Sequence, residues 1–195
     1  MKLNSIKLKN IRSFIEGEII FDNGITLLSG DIGSGKSTIL MALCFALFGI
    51  GGNIPSSAIL RNGENEALVS LNFSIDNNNI IIERKLKRSS TISQLPGKII
   101  INSKEEIKSP LELKQTILDL LNYPKSYLTK SKDLIFYYTV FTPQEEMKSV
   151  LLGNKELRLE TLRKVFGIDK YSRINENNII IAKLLKERRE ELKGF

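Results

Sequence analysis

The stretch Gly30-Asp31-Ile32-Gly33-Ser34-Gly35-Lys36-Ser37 decides the fold, because it matches the pattern G-x-x-x-x-G-K-[ST] at every fixed position. The apolar segment ITLLS precedes it, and the apolar run KSTILMALCFALFG overlaps its end, so it lies between a predicted strand and a predicted helix. Glycines in this context let backbone N–H groups turn toward phosphates, and the helix N-terminus adds partial positive charge. The sequence therefore predicts a nucleotide site, with Lys36 on the β- and γ-phosphates and Ser37 on Mg²⁺.

The segments around this loop follow strand or helix periodicity. A strand with a bulge near Asn4-Ser5 opens the chain, and turns are expected at 22–24 and 77–79. Further strands are predicted over 16–21, 24–30, 66–76, 80–88 and 134–141, with a strand pair around Pro96-Gly97. Helices are predicted over 36–49, 109–122 (Ser109 as N-cap, then Pro110), 142–153 (Thr142 as N-cap, then Pro143), 155–167 and 169–192.

Composition excludes several kinds of chemistry. The 195 residues include no histidine and one cysteine, Cys44, so an intramolecular disulfide, histidine metal ligands and histidine acid–base catalysis are ruled out. The net charge of +7 fits either a nucleic-acid partner or a solvated lysine-rich surface. No run approaches the roughly 18 apolar residues of a membrane span. The charged N-terminus is unlike a signal peptide, so we expect a cytoplasmic protein, nucleoid-associated, or a nuclear one in a eukaryote.

Hydrolysis of a bound nucleotide needs an acidic residue for Mg²⁺, and the sequence offers no good candidate. A Walker B strand would be a short apolar run that ends in Asp. Asp76 ends a segment that alternates like a two-faced strand, and Asp119 lies in a helical pattern. Either the nucleotide site is inert or another segment supplies the acid.

Four segments together resemble one known family. They are IKLKNIRSF near the start, GITLLSGDIGSGKSTIL, YYTVFTPQEEMKSVL around Gln144, and LRLETLRKVFGIDKY before the last helix. In this order they resemble the N-terminal half of the SbcC-type (Rad-fifty-like) double-strand-break repair ATPases, in the SMC branch of ABC-type ATPases. The resemblance implies an α/β P-loop head lobe with a mixed sheet around the P-loop helix. It also implies an antiparallel β-subdomain at about 66–108, a helical part at about 109–168 and a coiled-coil stub at 169–195.

The resemblance also assigns roles to individual residues. Arg12 and Ser13 would lie near the phosphates, and Gln144 would touch Mg²⁺ and the attacking water. Ile32 departs from the family, where Asn is common. The phosphates would be wrapped by Asp31, Ile32, Gly33, Ser34, Gly35, Lys36, Ser37 and Thr38. The adenine and ribose would be lined by Leu60, Arg61 and Asn62.

The same resemblance implies cofactors and partners. ATP and Mg²⁺ would bind, and a returning C-terminal half would supply the signature motif and Walker B, so the chain is expected to be one half of an enzyme. Two heads would dimerise on ATP, bind double-stranded DNA and reposition a manganese-dependent nuclease at the coiled-coil base. Another SMC-branch head, or a nucleotide-gated module without catalysis, remains an alternative.

DNA contacts are expected on the inserted strands, although a solvated hairpin face explains the same residues equally well. The final helix carries a sparse apolar stripe, which favours the start of a coiled coil over a surface helix. The candidate DNA contacts are Lys85, Lys87, Arg88, Lys98, Lys104 and Lys108.

Overall fold

The computed structural model describes residues 1–50, 56–122, 152–156, 158–159, 163 and 168–193. The chain divides into two compact units, Met1–Asp133 and Leu134–Phe195, each of which is described by itself. The first unit contains the strands β1 (Lys2–Ile11), β2 (Phe14–Ile20), β3 (Glu66–Ile75), β4 (Asn78–Arg88), β5 (Ile92–Gln94), β6 (Gly97–Ile101) and β7 (Lys104–Lys108). Its helices are α1 (Lys36–Phe48), a 3-10 turn (Ser56–Ala58) and α2 (Pro110–Leu120), and the second unit contains α3 (Asp169–Lys193).

The strands form one seven-stranded sheet in the order β2-β1-β3-β4-β6-β7, with β5 paired to β4 beside β6. The register of β1 against β3 shifts between Leu3 and Ser5, so the bulge predicted there is confirmed. The β3–β4 hairpin turns at Asp76 and Asn77, and Asn78 already pairs with Ile75. The turn is therefore tighter than the predicted 77–79 segment.

Two expectations about strands are wrong. The expected mixed sheet stays a prediction, because the pairings among the described residues are all antiparallel and the strand predicted over 134–141 is not among them. Residues on the two sides of Pro96-Gly97 do not pair with each other, because β5 and β6 both pair with β4, and the hairpin joins β6 to β7. The segment before the phosphate loop is not a strand, since no described strand lies beside it, and Ile25 is fully exposed.

One face of the sheet and helix α1 make the core. Alternate residues of β3 and β4, such as Val69, Leu71 and Ile82, have no exposed surface and face α1. Helix α1 is apolar almost all round, as predicted, and Phe45 and Ala46 are fully buried. This packing fixes the helix that follows the phosphate loop against the sheet.

The two remaining helices also match their predictions. Ser109 caps α2 in a full capping box with Glu112, and Pro110 occupies the first turn. Helix α3 covers the predicted 169–192 segment, and its large apolar side chains, Ile181 and Leu185 among them, are exposed. None of the helices in the described part of the chain is long and apolar enough to cross a membrane. Gly167, the strand predicted over 134–141, Thr142, Pro143 and Gln144 lie outside the described residues.

Candidate nucleotide-binding site

The loop before α1 forms a cradle of backbone N–H groups. Gly35 is the N-cap of α1 and adopts the left-handed conformation with φ 96°, and Gly33 also has a positive φ of 86°. No side chain caps this helix, and its first turn contains no acidic residue. The N-terminal N–H groups and the positive end of the helix dipole are therefore left for an anion.

The β1–β2 turn lies directly over the cradle. A Cβ atom on Gly35 would come within 2.7 Å of Ser13 Oγ and 2.8 Å of Phe14 Cε2. At these distances a side chain at position 35 would force Ser13 or Phe14 to shift, and a φ of 96° is strained for residues other than glycine, so glycine suits this close approach. The contact brings Arg12 and Ser13 to the phosphate loop.

The Lys36 ammonium group folds back onto its own loop. Its Nζ donates hydrogen bonds to Gly30 O and Asp31 O, each at 2.6 Å, and to Ser34 Oγ at 3.3 Å. Because an ammonium group has three donors, these bonds must be exchanged in part before Lys36 can reach a phosphate oxygen. The ammonium charge is thus held at the centre of the loop by neutral acceptor oxygens, which an anionic ligand can replace.

Two cavities meet at Arg12. The phosphate-side cavity, about 350 Å³, is lined by Arg12, Ser13, Gly33, Gly35, Lys36, Ser37 and Thr38. The base-side cavity, about 480 Å³, is lined by Arg12, Ser57, Ala58, Leu60, Arg61 and Asn62. Together they suit a ligand with a phosphate end and a larger ring system.

Backbone hydrogen bonds fix the boundary between the two cavities. Arg12 N donates to Ile59 O at 3.0 Å, and Arg61 N donates to Asn10 O at 3.0 Å. The Arg61 guanidinium also donates from Nη1 to Arg12 O at 2.8 Å. Arg12 therefore has a fixed backbone with φ 48°, while its exposed side chain remains available to a ligand.

A magnesium ion would find an incomplete set of ligands here. Ser37 lines the phosphate-side cavity and is a suitable oxygen donor. Asp76 lies in the β3–β4 turn and Asp119 lies in α2, and neither lines either of these two cavities. No group of three or more acidic, cysteine or histidine side chains that could hold a metal occurs within the described residues. The residues present fit a nucleoside triphosphate better than they fit a complete metal centre.

Four of the six candidate DNA contacts are paired with acids. Lys98 is 3.3 Å from Glu105, and both Lys104 (3.0 Å) and Lys108 (3.1 Å) contact Glu106. Lys104 and Lys108 hold the pKa of the Glu106 carboxyl below its ordinary value. Of the other three candidates, Lys87 lies 3.7 Å from Glu66, Lys85 is exposed and Arg88 is half-buried. The charge available for a polyanion is smaller than the lysine count suggests.

Most of the predicted nucleotide residues are thus brought together. Asp31 and Ser34 contact Lys36, but Ile32 is fully exposed and lines neither cavity. Ser57 and Ala58 are lining residues that the sequence analysis missed, because a short 3-10 turn has no periodic pattern. The Asn10–Arg61 backbone contact joins distant segments and has no sequence signal either.

The loop, its helix and the two cavities define an α/β P-loop protein of the nucleotide-binding class. A family model described as "AAA domain" matches residues 5–194, and the chain belongs to that family. The expected resemblance is confirmed as well, because the chain matches the N-terminal part of curated proteins named DNA double-strand break repair Rad50 ATPase.

Two of these relatives show the extent of the match. The protein from Methanocaldococcus jannaschii is 27% identical over 194 residues, which is 100% of this chain and 18% of the relative. The protein from Thermoplasma acidophilum is 31% identical over 171 residues, which is 87% of this chain and 18% of the relative. The chain therefore spans about a fifth of the length of the proteins that it matches.

Two solved structures show partial similarity to the chain. The recombination mediator protein RecF matches at 24% identity and a TM-score of 0.45, over 57% of this chain and 29% of that one. The SMC head domain from Thermotoga maritima matches at 24% identity and a TM-score of 0.41, over 60% of this chain and 42% of that one.

Proposed function

We propose that this chain is the ATP-binding N-terminal half of a DNA double-strand-break repair ATPase. The observation that carries the proposal is the uncapped N-terminus of α1, with Lys36 held at the centre of a glycine cradle. The match to proteins named Rad50 along the chain supports the choice of repair ATPase over other P-loop proteins.

The chain's own residues have distinct tasks in this proposal. Lys36 exchanges its bonds to the loop carbonyls for β- and γ-phosphate oxygens, and the loop N–H groups bind the remaining oxygens. Arg12, at the junction of the two cavities, orients the triphosphate relative to the ribose. Leu60, Arg61 and Asn62 line the space for ribose and adenine. Ser37 and, from the resemblance, Gln144 would hold Mg²⁺, which supplies neutralisation of phosphate charge when it is bound.

We propose that a second segment completes the site with a Walker B acid. The segment before the loop supports this, because Ile25 is fully exposed and Leu27 is 85% exposed. Exposure of apolar side chains to water is unfavourable, because burying them gains about 25 cal/mol of free energy for each Å² of apolar surface. A strand that pairs with residues 25–29 would cover them and end beside the phosphate-side cavity. In the proposal this strand belongs to a C-terminal half.

The further parts of the proposal concern assembly. Two heads would dimerise around ATP, with α3 (169–193) leading into a coiled coil that carries a manganese-dependent nuclease at its base. Double-stranded DNA would bind the heads through phosphate contacts, with Lys85 and Arg88 as better candidates than the residues paired with Glu105 and Glu106. The exposed apolar residues of α3 support the coiled coil.

A second candidate function is a nucleotide-gated binding module without turnover. It is favoured by the lack of an acidic residue lining either cavity among the described residues. In that case ATP would control association only, through the same Lys36 and Arg12 contacts.

ATP turnover by this chain, alone and mixed with a C-terminal half from a matching Rad50-type protein, separates the two candidates. The repair-ATPase proposal expects no turnover from the chain alone and Lys36-dependent turnover from the mixture. Nucleotide binding with no turnover in either sample supports the binding module. Turnover by the chain alone at a comparable rate contradicts the proposed need for a second segment.

A further inference from the structure

A buried polar cluster lies at the opposite end of α1 from the phosphate loop. Arg84 of β4 is fully buried and donates from Nε to Ala46 O at 2.7 Å and from Nη2 to Leu47 O at 3.1 Å. Gln94 of β5 accepts a hydrogen bond from Ile50 N at Oε1, at 3.0 Å. The two side chains thus bind the last turn of the helix and the first residues after it.

The cluster holds the helix end by charge as well as by hydrogen bonds. The C-terminus of a helix carries partial negative charge and unpaired carbonyls, which a guanidinium group can satisfy. Burial lowers the pKa of Arg84 to about 9, so the group is still charged at neutral pH. Arg84 Nη1 and Gln94 Nε2 have no hydrogen-bond partner among the described residues.

Gly49 allows Arg84 and Gln94 to pack closely against the chain at the end of α1. It ends α1 with φ 78°, and a Cβ atom there would come within 2.8 Å of Gln94 Oε1 and 3.2 Å of Arg84 Nη1. The chain therefore leaves α1 in a fixed direction, set by Gln94 on one side and Arg84 on the other.

The cluster contacts elements that lead to both cavities of the nucleotide site. Helix α1 runs from it to the phosphate loop. Strand β5, which carries Gln94, lies against the 3-10 turn Ser56–Ala58, and Ser57 and Ala58 line the base-side cavity. Gln94 therefore lies between the end of α1, which it contacts through Ile50 N, and the turn that forms part of the base-side cavity.

We infer that Gln94 is a positioning residue for the nucleoside part of the ligand, and that it acts by holding the 3-10 turn Ser56–Ala58 in place relative to the Arg84-bound end of α1, through β5 and the hydrogen bond from Ile50 N. The inference rests on the proposed ATP-binding function. Gln94 lines neither cavity, so it acts through the residues that form the base-side cavity and not by touching the ligand.

Two ligands distinguish an effect on the base-side cavity from an effect on the phosphate loop. ATP needs both cavities, whereas inorganic tripolyphosphate needs only the phosphate-side cavity. Gln94→Leu removes the acceptor for Ile50 N, while Gln94→Glu keeps an acceptor oxygen and adds a charge that Arg84 favours. Affinity is measured by titration calorimetry for the full chain and both variants, with Lys36→Ala as the control for the loop.

The inference expects Gln94→Leu to weaken ATP binding about three- to tenfold, the usual effect of one lost hydrogen bond, with tripolyphosphate binding unchanged. Gln94→Glu is expected to bind both ligands like the wild type. Equal ATP affinity in Gln94→Leu and wild type overturns the inference, and so does an equal loss for both ligands, because that indicates a merely structural role. If Lys36→Ala changes neither affinity, the proposed function itself fails and the inference fails with it.

Discussion

Helices α1 and α2 begin in opposite ways. At α2, the Ser109 side chain accepts from Glu112 N, and Glu112 Oε2 accepts from Ser109 N at 2.9 Å, so two end N–H groups are satisfied within the protein. At α1, the N-cap is Gly35, no side chain caps the helix and the first turn has no acidic residue. Helix α2 starts where local side chains stabilise it best, whereas α1 starts where its N-terminus stays open to a ligand.

The difference teaches how the chain reserves one helix end for binding. A missing cap costs about 1 kcal/mol, and α1 offsets that cost by burying nine of its thirteen residues. Helix α2 is less buried and uses its cap instead. The helix whose N-terminus is proposed to bind the nucleotide is therefore the one that has no capping side chain and is mostly buried.

The largest expected effect comes from filling the open cap. Gly35→Ala places a Cβ within 2.7 Å of Ser13 Oγ at a φ of 96°, so we expect ATP affinity to fall tenfold or more and stability to fall by about 2 kcal/mol. Gly24→Ala is the matched control, because its φ is 97° and nothing lies within 4 Å of its Cβ. The control should lose stability and keep ATP affinity, as measured by urea unfolding and calorimetry. Equal effects of the two variants on ATP affinity would refute the close-approach argument.

Removing the cap of α2 should have a smaller effect that is confined to stability. Ser109→Ala deletes the acceptor for Glu112 N, and we expect a loss of about 1 kcal/mol in the free energy of unfolding. ATP affinity should not change, because α2 lines neither cavity. A Ser109→Ala variant that binds ATP more weakly would show that the two helix ends are coupled.

The smallest expected effect is on the pH dependence of the α2 cap. Hydrogen bonds from Ser109 lower the pKa of Glu112 below its ordinary value of 4.5. A lowered folded-state pKa gives stability that is present above the unfolded pKa and is lost as the pH falls through the folded value. Glu112→Gln keeps an acceptor and does not titrate. Urea midpoints from pH 7 to pH 3 should therefore decline more in the wild type than in Glu112→Gln, and parallel curves would argue against the assignment.

The parts of the fold that have a local signal were predicted well. The phosphate loop, α1 and the Ser109 N-cap of α2 each depend on residues a few positions apart, so the sequence carries them directly. The segment 24–30 was misassigned because its apolar residues predict a strand whatever its neighbours are. A strand forms only beside a partner, and no described strand lies next to Ile25.

The candidate site shows the same division. Lys36 and Ser37 follow from a contiguous motif, and Arg12 came from a resemblance. The hydrogen bonds from Arg84 Nε to Ala46 O and from Ile50 N to Gln94 Oε1 join residues about 40 positions apart, so no local pattern predicts them. The burial of Arg84 has no local signal either, because it depends on the helix that packs over the strand.

The most direct test of the central claim is the ATP affinity of the wild-type chain and of Lys36→Ala, measured by titration calorimetry. Charge-assisted hydrogen bonds contribute about 1.5–3 kcal/mol each, so the account predicts a loss of about 10- to 100-fold in Lys36→Ala, with the fold retained by circular dichroism. Equal affinities in the two proteins would contradict the claim that the open end of α1 and its lysine form the nucleotide site.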